Sequence, residues 1–145
     1  MPHQEIPTEG LRSFFERFQS LSAASDVDGL AAMYAGHVMI AGAIGAQVVS
    51  VADLQRAIPK RKQLLASAGC QETTLVGFEE TELTDRYSLV RAQFRWQFKA
   101  ASGQSATVTL PSMFVVDRGG DSPHIVLYLN EHDVVSVLRE RGLLA

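Results

Sequence analysis

Two periods of hydrophobic residues divide the chain into a helical first part and a strand-rich second part. After Thr8, apolar residues recur at the i, i+3, i+4, i+7 spacing of one helix face. The members of this stripe are Leu11, Phe14, Phe15, Phe18 and Leu21. Asp26 is a suitable cap for a second, short helix that carries Tyr34 and ends at Gly36. The pattern therefore predicts two consecutive helices packed side by side.

A small, β-branched stretch and a third helix follow. Residues 37–49 contain two glycines and predict either a pair of strands or one strand with a tight turn, without fixing the register. Ser50 and Asp53 have the spacing of a capping box, which predicts a helix start, and Gly69 is placed to end that helix. Pro59 lies inside it and is expected to kink it, because proline removes a backbone donor.

From residue 73 onward the hydrophobic period changes to two, which is the spacing of strands. Strands are predicted at 73–80, 86–100, 105–117 and 124–128. Short polar turns separate them, so they form sequential hairpins, and the two longest require curvature or a bulge. Helical spacing returns over 130–138. We therefore predict one α+β domain over 8–145, with a curved antiparallel sheet, after a flexible N-terminus at 1–7.

Alternation along the two long strands separates an inner face from an outer face. The predicted inner residues are Val90, Ala92, Phe94, Trp96, Phe98, Val108, Leu110, Ser112, Phe114 and Val116. Trp96 is a candidate wall for a ring-shaped ligand, with ordinary core packing as the alternative, and Ser112 supplies the hydroxyl of this face. The predicted apolar residues of the outer face are Leu89, Met113, Val115, Val126 and Tyr128. Such a surface is expected to be covered by a second copy in a twofold homodimer.

Composition narrows the possible partners. The formal net charge is −3, which gives no electrostatic basis for binding nucleic acid. The one basic run, Lys60-Arg61-Lys62, is interpreted as a solvated helix face. Cys70 is the single cysteine, which rules out an intramolecular disulfide and favours a reducing, cytoplasmic location. The sequence has no apolar run of 18 residues and no secretory start, so no membrane partner is expected.

The histidines give no support for a metal site. His37, His124 and His132 are dispersed along the chain, and none forms the His-x-x-x-His pair that places two ligands on one helix face. No metal and no cofactor are therefore expected.

Residues 25–38, SDVDGLAAMYAGHV, resemble the second-helix signature of the nuclear transport factor two-like superfamily. That superfamily includes SnoaL-like polyketide cyclases, ketosteroid isomerase and scytalone dehydratase, and the resemblance implies a cone-shaped fold and a dimer. In the matching alignment, the isomerases' oxyanion-donor tyrosine falls on Phe18 and their general base on Gly42. Neither residue can perform its role, because the reaction needs a hydroxyl donor and a proton acceptor. Ketosteroid-isomerase chemistry is therefore not expected.

The resemblance to the cyclases also implies an acidic residue near the start of the terminal helix. Asp133 is the best match for an acid/base role, with Asn130 in the alternative alignment and His132 beside it. Helix capping explains Asn130 and Asp133 equally well, and an exposed first-turn position explains His132. Tyr34 is expected to point its hydroxyl into the cone or into water, and Tyr128 to face either a ligand or a partner subunit.

The function expected from these observations is that of a SnoaL-like protein whose specific activity is unknown. The cone is expected to bind a small, mainly apolar or ring-containing molecule through Tyr34, Trp96, Ser112, Tyr128 and Asn130. Whether it also acts as a cofactor-free cyclase, isomerase or dehydratase stays open. The alternative is a non-catalytic dimeric interaction module whose cone is filled by its own side chains.

Overall fold

A computed structural model of the chain describes residues 8–43, 45–130 and 132–144 and confirms the α+β class. The elements described, in chain order, are α1 (Thr8–Ala23), α2 (Val27–Ala31), β1 (Tyr34–Gly42), β2 (Gly45–Ser50), α3 (Val51–Ser67), β3 (Cys70–Glu82), β4 (Tyr87–Lys99), β5 (Ser105–Asp117), β6 (His124–Asn130) and α4 (Val134–Glu140). The prediction for residues 1–7 lies outside the described residues.

The six strands form one sheet in the order β2-β1-β6-β5-β4-β3. Every neighbouring pair is antiparallel except β1 with β6, which run parallel. The antiparallel pairing predicted for the four strands after residue 73 is confirmed, and the parallel β1–β6 pair is an addition that the sequence did not predict. The chain leaves the sheet after β2, passes through α3 and returns by the β3–β5 hairpins, and such a long connection allows β6 to align with β1 in the same direction.

The inner face of the sheet and helix α1 enclose the core. Along β4 and β5 the predicted alternation is confirmed, with Val90, Phe94 and Phe114 buried on the inner face. Helix α1 packs Leu11 and Phe15 onto this face, and α4 adds further apolar side chains to the same cluster. Register shifts interrupt the β3–β4 and β5–β6 pairings, and such bulges bend the sheet around α1. We call the region between the inner face and the helices the cup; buried side chains of the core cluster fill its deep part.

Helix α2 is shorter than the sequence pattern predicts. Its cap is confirmed, since the Asp26 carboxylate accepts a hydrogen bond from the Gly29 N–H at 2.9 Å. The helix ends at Ala31, however, and Tyr34 begins β1. The Ile125 N–H donates to the Met33 carbonyl at 2.9 Å, so pairing with β6 takes over where helical spacing continues in the sequence.

Helix α3 begins at the predicted capping box. The Asp53 N–H donates to Ser50 Oγ at 3.2 Å, and the Ser50 N–H donates to the Asp53 carboxylate at 3.0 Å. The helix continues through Pro59 as far as Ser67. Lys62 Nζ donates to the carbonyl oxygen of Ser22 at 2.8 Å, which fastens α3 to the end of α1. The interpretation of the basic run as a solvated face is therefore wrong for Lys62.

Across the three described ranges, no helix combines the length and the apolar character needed to cross a bilayer.

Candidate functional site

Aromatic rings line the cup between α1 and the middle of the sheet. The Phe18 ring lies 6.2 Å from Tyr34, 6.3 Å from Phe94 and 5.9 Å from Phe114, measured between centroids. The Tyr128 ring meets Phe114 edge-on at 4.8 Å. These separations lie within the range of favourable aromatic pairing. Phe18, at the position of the isomerases' donor, contributes an apolar wall and no hydroxyl.

Tyr128 faces the cup, which corrects the prediction that it belongs to the outer face. It lies opposite Phe114 on the neighbouring strand, while Ile125 lies opposite Val116. Phe114 and Val116 are two residues apart on β5, whereas Ile125 and Tyr128 are three residues apart on β6. The extra residue forms a bulge, which brings both Ile125 and Tyr128 to the inner face. The Tyr128 hydroxyl is 3.4 Å from Ser112 Oγ, a long hydrogen bond between two of the predicted ligand-binding residues.

Tyr34 also belongs to the cup, but it enters from the first residue of β1 and not from a helix. Burial raises the pKa of its hydroxyl, nearby Tyr128 raises it further, and Arg61 acts in the opposite direction. The Tyr34 side chain therefore stays protonated at neutral pH and acts as a hydrogen-bond donor. On the inner face, the Tyr34 ring packs against Phe18, and the Tyr128 ring packs against Phe114.

Asn130 is the last residue of β6 and not the cap of the terminal helix, so that structural alternative is wrong. The pairing of Leu129 with Met113, continued by one residue, brings Asn130 beside Ser112. Its Oδ1 atom is buried and has no hydrogen-bond partner among the described residues. Such an unpaired acceptor costs about 1–3 kcal/mol.

Gly42 is the strand partner of Asn130, and the two are the last residues of β1 and β6. We call this end of the cup its mouth. Within 4 Å, a Cβ atom added at Gly42 would meet, among the described residues, the Asn130 carbonyl oxygen at 3.2 Å. No side chain of the described part of the chain therefore covers this position. Gly42 is the residue on which the resemblance to the isomerases would place a general base, and it carries no carboxylate.

Asp133 and Arg61 form an ion pair between α3 and the start of α4. Asp133 occupies the N-cap position of α4 but makes no side-chain capping hydrogen bond. Its carboxylate lies 3.4 Å from the Arg61 guanidinium, and the two side chains are 38% and 40% exposed. His132 is exposed on the adjoining turn. The sequence predicts Asp133 in the first turn of the terminal helix. The helix starts later than predicted, so Asp133 directly precedes it.

Arg61 is the residue that the sequence analysis missed. On α3 it lies in register with the inward-facing residues Leu54, Ile58, Leu65 and Ala68. Spacings of four, three, four and three residues follow one face of a helix, so Arg61 is a cation within an otherwise apolar stripe. The signal was present in the sequence, but Arg61 was grouped with its two basic neighbours. The Arg61 side chain is 40% exposed, so it is solvated in part and also contacts Asp133.

Trp96 lies one inward position beyond Phe94 on β4. It is 7% exposed and its ring centroid is 6.0 Å from that of Phe94. Val108 and Thr73 are its cross-strand neighbours, so Trp96 lies away from Tyr34 and Tyr128, which we call the tyrosine cluster. Its surroundings are those of the hydrophobic core, and its role as a ligand contact stays a prediction.

The described residues offer neither an activated thiol nor a metal centre. Burial raises the pKa of the Cys70 thiol, although hydrogen bonding to Thr73 opposes the shift, so the reactive thiolate is disfavoured. Within 8–43, 45–130 and 132–144, no group of three or more His, Cys, Asp or Glu residues is arranged to hold a metal ion.

Two surface depressions lie outside the cup. One, of about 260 Å³, is on the outer face around Gly77, Arg91 and Gln93. The other, of about 410 Å³, lies between α1 and β3. In that second depression Gln19 donates to the Thr73 carbonyl and accepts from the Leu75 N–H, so its amide already occupies the free edge of β3. Neither depression contains a residue of the tyrosine cluster.

Solved structures resemble this chain over most of its length. An NTF2-like protein with a cystatin-like fold from Novosphingobium aromaticivorans matches with a TM-score of 0.69 and 17% identity, over 94% of this chain and 88% of that one. The chain has the NTF2-like fold. A ketosteroid isomerase-like protein from Erwinia carotovora atroseptica matches with a TM-score of 0.67 and 12% identity, over 86% and 94% of the two chains.

The beta subunit of a benzoate 1,2-dioxygenase from Burkholderia mallei also shares this NTF2-like fold. It matches with a TM-score of 0.67 and 16% identity, over 91% of this chain and 98% of that one. No protein-family model matches the sequence, and no curated protein matches it either. The fold predicted from residues 25–38 is thus confirmed. The structures similar to this chain have names that indicate different activities, so the fold alone does not indicate an activity. The activity has to be argued from the residues in the cup.

Proposed function

We propose that the protein binds a small ring compound at the mouth of its cup. The observation that carries this proposal is the buried, unpartnered Oδ1 of Asn130, set beside the uncovered position of Gly42. A ligand hydroxyl or N–H that donates to Asn130 removes the cost of an unpaired buried acceptor. The acceptor is out of reach of water in the free chain, so binding includes a rotation of the Asn130 side chain or of its neighbours.

The surrounding chemistry favours a ring with a few polar substituents. Phe18, Phe94 and Phe114 supply apolar walls, and Tyr34 and the Ser112–Tyr128 pair supply hydroxyl groups. Apolar walls with a small number of convergent polar groups are typical of small-molecule sites. No cofactor enters this proposal. Trp96 is expected to support the wall from behind Phe94.

Proton transfer, if the protein is an enzyme, falls to Asp133 with His132 beside it. Phe18 and Gly42 remove the donor and the base of the isomerase reaction, so a cyclase-like or dehydratase-like reaction is the proposed class. Asp133 lies three residues after Asn130 and forms an ion pair with Arg61. Asp133→Asn would abolish turnover in such an enzyme and leave ligand binding in place.

We expect 2-naphthol to bind about tenfold more tightly than 2-methoxynaphthalene, because only the naphthol can donate to Asn130. Titration calorimetry measures both affinities. Asn130→Ala should remove the preference by weakening the binding of naphthol alone. Gln97→Ala, which deletes an exposed amide on β4, is the matched control and should preserve it. Failure of both compounds to bind at millimolar concentration would contradict the proposal.

The second proposal concerns the outer face of the sheet, which we infer binds a second copy of the chain. Strand pairing aligns one apolar residue from each of five adjacent strands, and we call this set the outer row. Its members are Val48, Met39, Leu127, Val115 and Leu89. At a strand spacing of about 4.8 Å, the row is roughly 20 Å across. This width is suited to a standard interface, which buries about 800 Å² on each partner. Arg91 and Glu79 lie beside it as opposite charges suited to a twofold contact.

Met39→Lys is expected to convert the dimer into a monomer, because the lysine charge would be buried against the second copy. Sedimentation equilibrium measures the molecular mass. Val76→Lys is the matched control, since Met39 and Val76 are 41% and 42% exposed and Val76 lies outside the outer row. A wild-type protein that sediments as a monomer would refute the interface.

A dimeric interaction module with a filled cup remains the competing function. The close contacts among Phe15, Phe18 and Phe114 support it, because they fill the deep part of the cup. Such a module would keep the Met39-dependent dimer and bind neither naphthalene compound. In either case we propose a cytoplasmic location, on the strength of the single cysteine, Cys70.

A further inference from the structure

A charged residue within the inward stripe of a helix requires an explanation. Arg61 occupies such a position on α3, between Ile58 and Leu65, and Leu65 packs against the core. An arginine at that position loses part of its hydration, which is unfavourable unless an anion compensates for it. The Asp133 carboxylate is its ion-pair partner in the described part of the chain.

The pairing between Arg61 and Asp133 is loose. Their closest nitrogen and oxygen atoms are 3.4 Å apart, whereas charge-assisted hydrogen bonds of this type are about 2.7–2.9 Å long. Both side chains are also more than a third exposed, and exposed ion pairs contribute little to stability. Another anion can therefore replace Asp133 with little loss.

The ion pair with Asp133 brings the Arg61 guanidinium to the segment that directly follows Asn130. Arg61 acts electrostatically on the Tyr34 hydroxyl, and Asp133 begins the helix that follows Asn130 and the mouth. The guanidinium offers several N–H donors in a planar fork, which matches the two oxygens of a carboxylate. The neutral Tyr34 hydroxyl adds a further donor to this region.

We propose that the ligand of the cup is a cyclic acid whose carboxylate is bound by Arg61 in place of Asp133. This inference rests on the proposed function, and it adds the chemical class of the ligand. In the free protein Asp133 occupies the guanidinium, and in the complex the ligand carboxylate does. Arg61 is thereby the residue that determines the preference for an acid over a neutral ring compound.

The test compares 6-hydroxy-2-naphthoate with 6-hydroxy-2-naphthamide, called naphthoate and naphthamide below. They share the ring, nearly the same size and a hydroxyl that can donate to Asn130, and they differ in charge. We expect naphthoate to bind the wild-type protein about tenfold more tightly, and Arg61→Gln to remove this preference without weakening naphthamide. Asp133→Asn should strengthen naphthoate binding, because the competing carboxylate is gone. Titration calorimetry at neutral pH measures all of these affinities.

Arg56→Gln is the control for a general change in charge. Arg56 is also on α3, is exposed, and pairs with Asp53 near the start of the helix. It should leave the preference for naphthoate unchanged. Equal binding of the two compounds by the wild-type protein would overturn the inference about Arg61 and leave the proposed function standing, whereas a lack of binding by both would contradict the proposed function itself. If Arg61→Gln and Asp133→Asn both weaken the two compounds alike, the pair is a structural contact and the inference fails.

Discussion

Replacing Phe15 by alanine is expected to lower the free energy of unfolding by about 3–5 kcal/mol, the range for deleting a buried aromatic ring. Phe15 is completely buried, and its ring centroid lies 4.8 Å from Phe114 and 6.1 Å from Phe78. The side chain joins α1 to the inner face of the sheet. Its removal leaves a cavity between rigid elements that cannot close around it.

Thermal unfolding and urea titration measure this loss, which corresponds to a decrease in Tm of roughly 10 °C for a chain of this length. Leu83→Ala is the control, because Leu83 is 52% exposed in the turn after β3 and should cost much less. A loss below about 1 kcal/mol for Phe15→Ala would show that α1 repacks onto the sheet, contrary to the tight packing of a protein core. Since Phe18 and Phe114 also wall the cup, weaker ligand binding should accompany the instability.

The sequence analysis was most successful where a periodic pattern extends over many residues. Alternation along β4 and β5 predicts their two faces correctly, because the strands are long and a slip of one residue would expose the entire apolar set. The capping box of Ser50 and Asp53 is equally clear, since two reciprocal hydrogen bonds depend on residues three apart. Such local and repeated signals are independent of distant parts of the chain.

The errors concern residues whose positions depend on pairing between distant segments. Tyr34 continues the spacing of α2, yet hydrogen bonding between the chain just before it and β6 makes it the start of a strand. Tyr128 changes face because of one extra residue in β6, and nothing in the local sequence marks that bulge. Asp133 takes the cap position expected for Asn130, because β6 continues to Asn130 and α4 starts later. These three differences bring Tyr34, Tyr128 and Asn130 into one site.

The candidate site could be predicted in its residue types but not in its arrangement. Ser112 and Tyr128 were both identified as polar residues, but their 3.4 Å contact follows from the register of β5 and β6. Arg61 shows the opposite case, since its place in the stripe of α3 is visible in the sequence. A search for single charges at apolar positions of amphipathic helices would have found it.

Replacing Gly69 by alanine is expected to lower the free energy of unfolding by about 3 kcal/mol or more, from backbone strain and a direct clash together. Gly69 joins α3 to β3 with φ at +85°. An alanine Cβ there would clash with the carbonyl oxygen of Lys99, a backbone atom that cannot move without disturbing the sheet. The Lys99 N–H also donates to the Gly69 carbonyl at 2.9 Å, so the substitution strains the first turn of the β3–β4 pairing.

Gly103→Ala separates the two contributions to this effect. Gly103 has nearly the same φ, +88°, but an added Cβ would have no described neighbour within 4 Å. Gly103→Ala should therefore lower the free energy of unfolding by about 1 kcal/mol, which is the effect of the left-handed conformation alone. Urea unfolding of both variants measures the difference, and equal losses would show that the Lys99 contact relaxes freely. Because α3 carries Arg61, a shift of α3 at its junction with β3 should also weaken the preference for naphthoate in Gly69→Ala and leave it intact in Gly103→Ala.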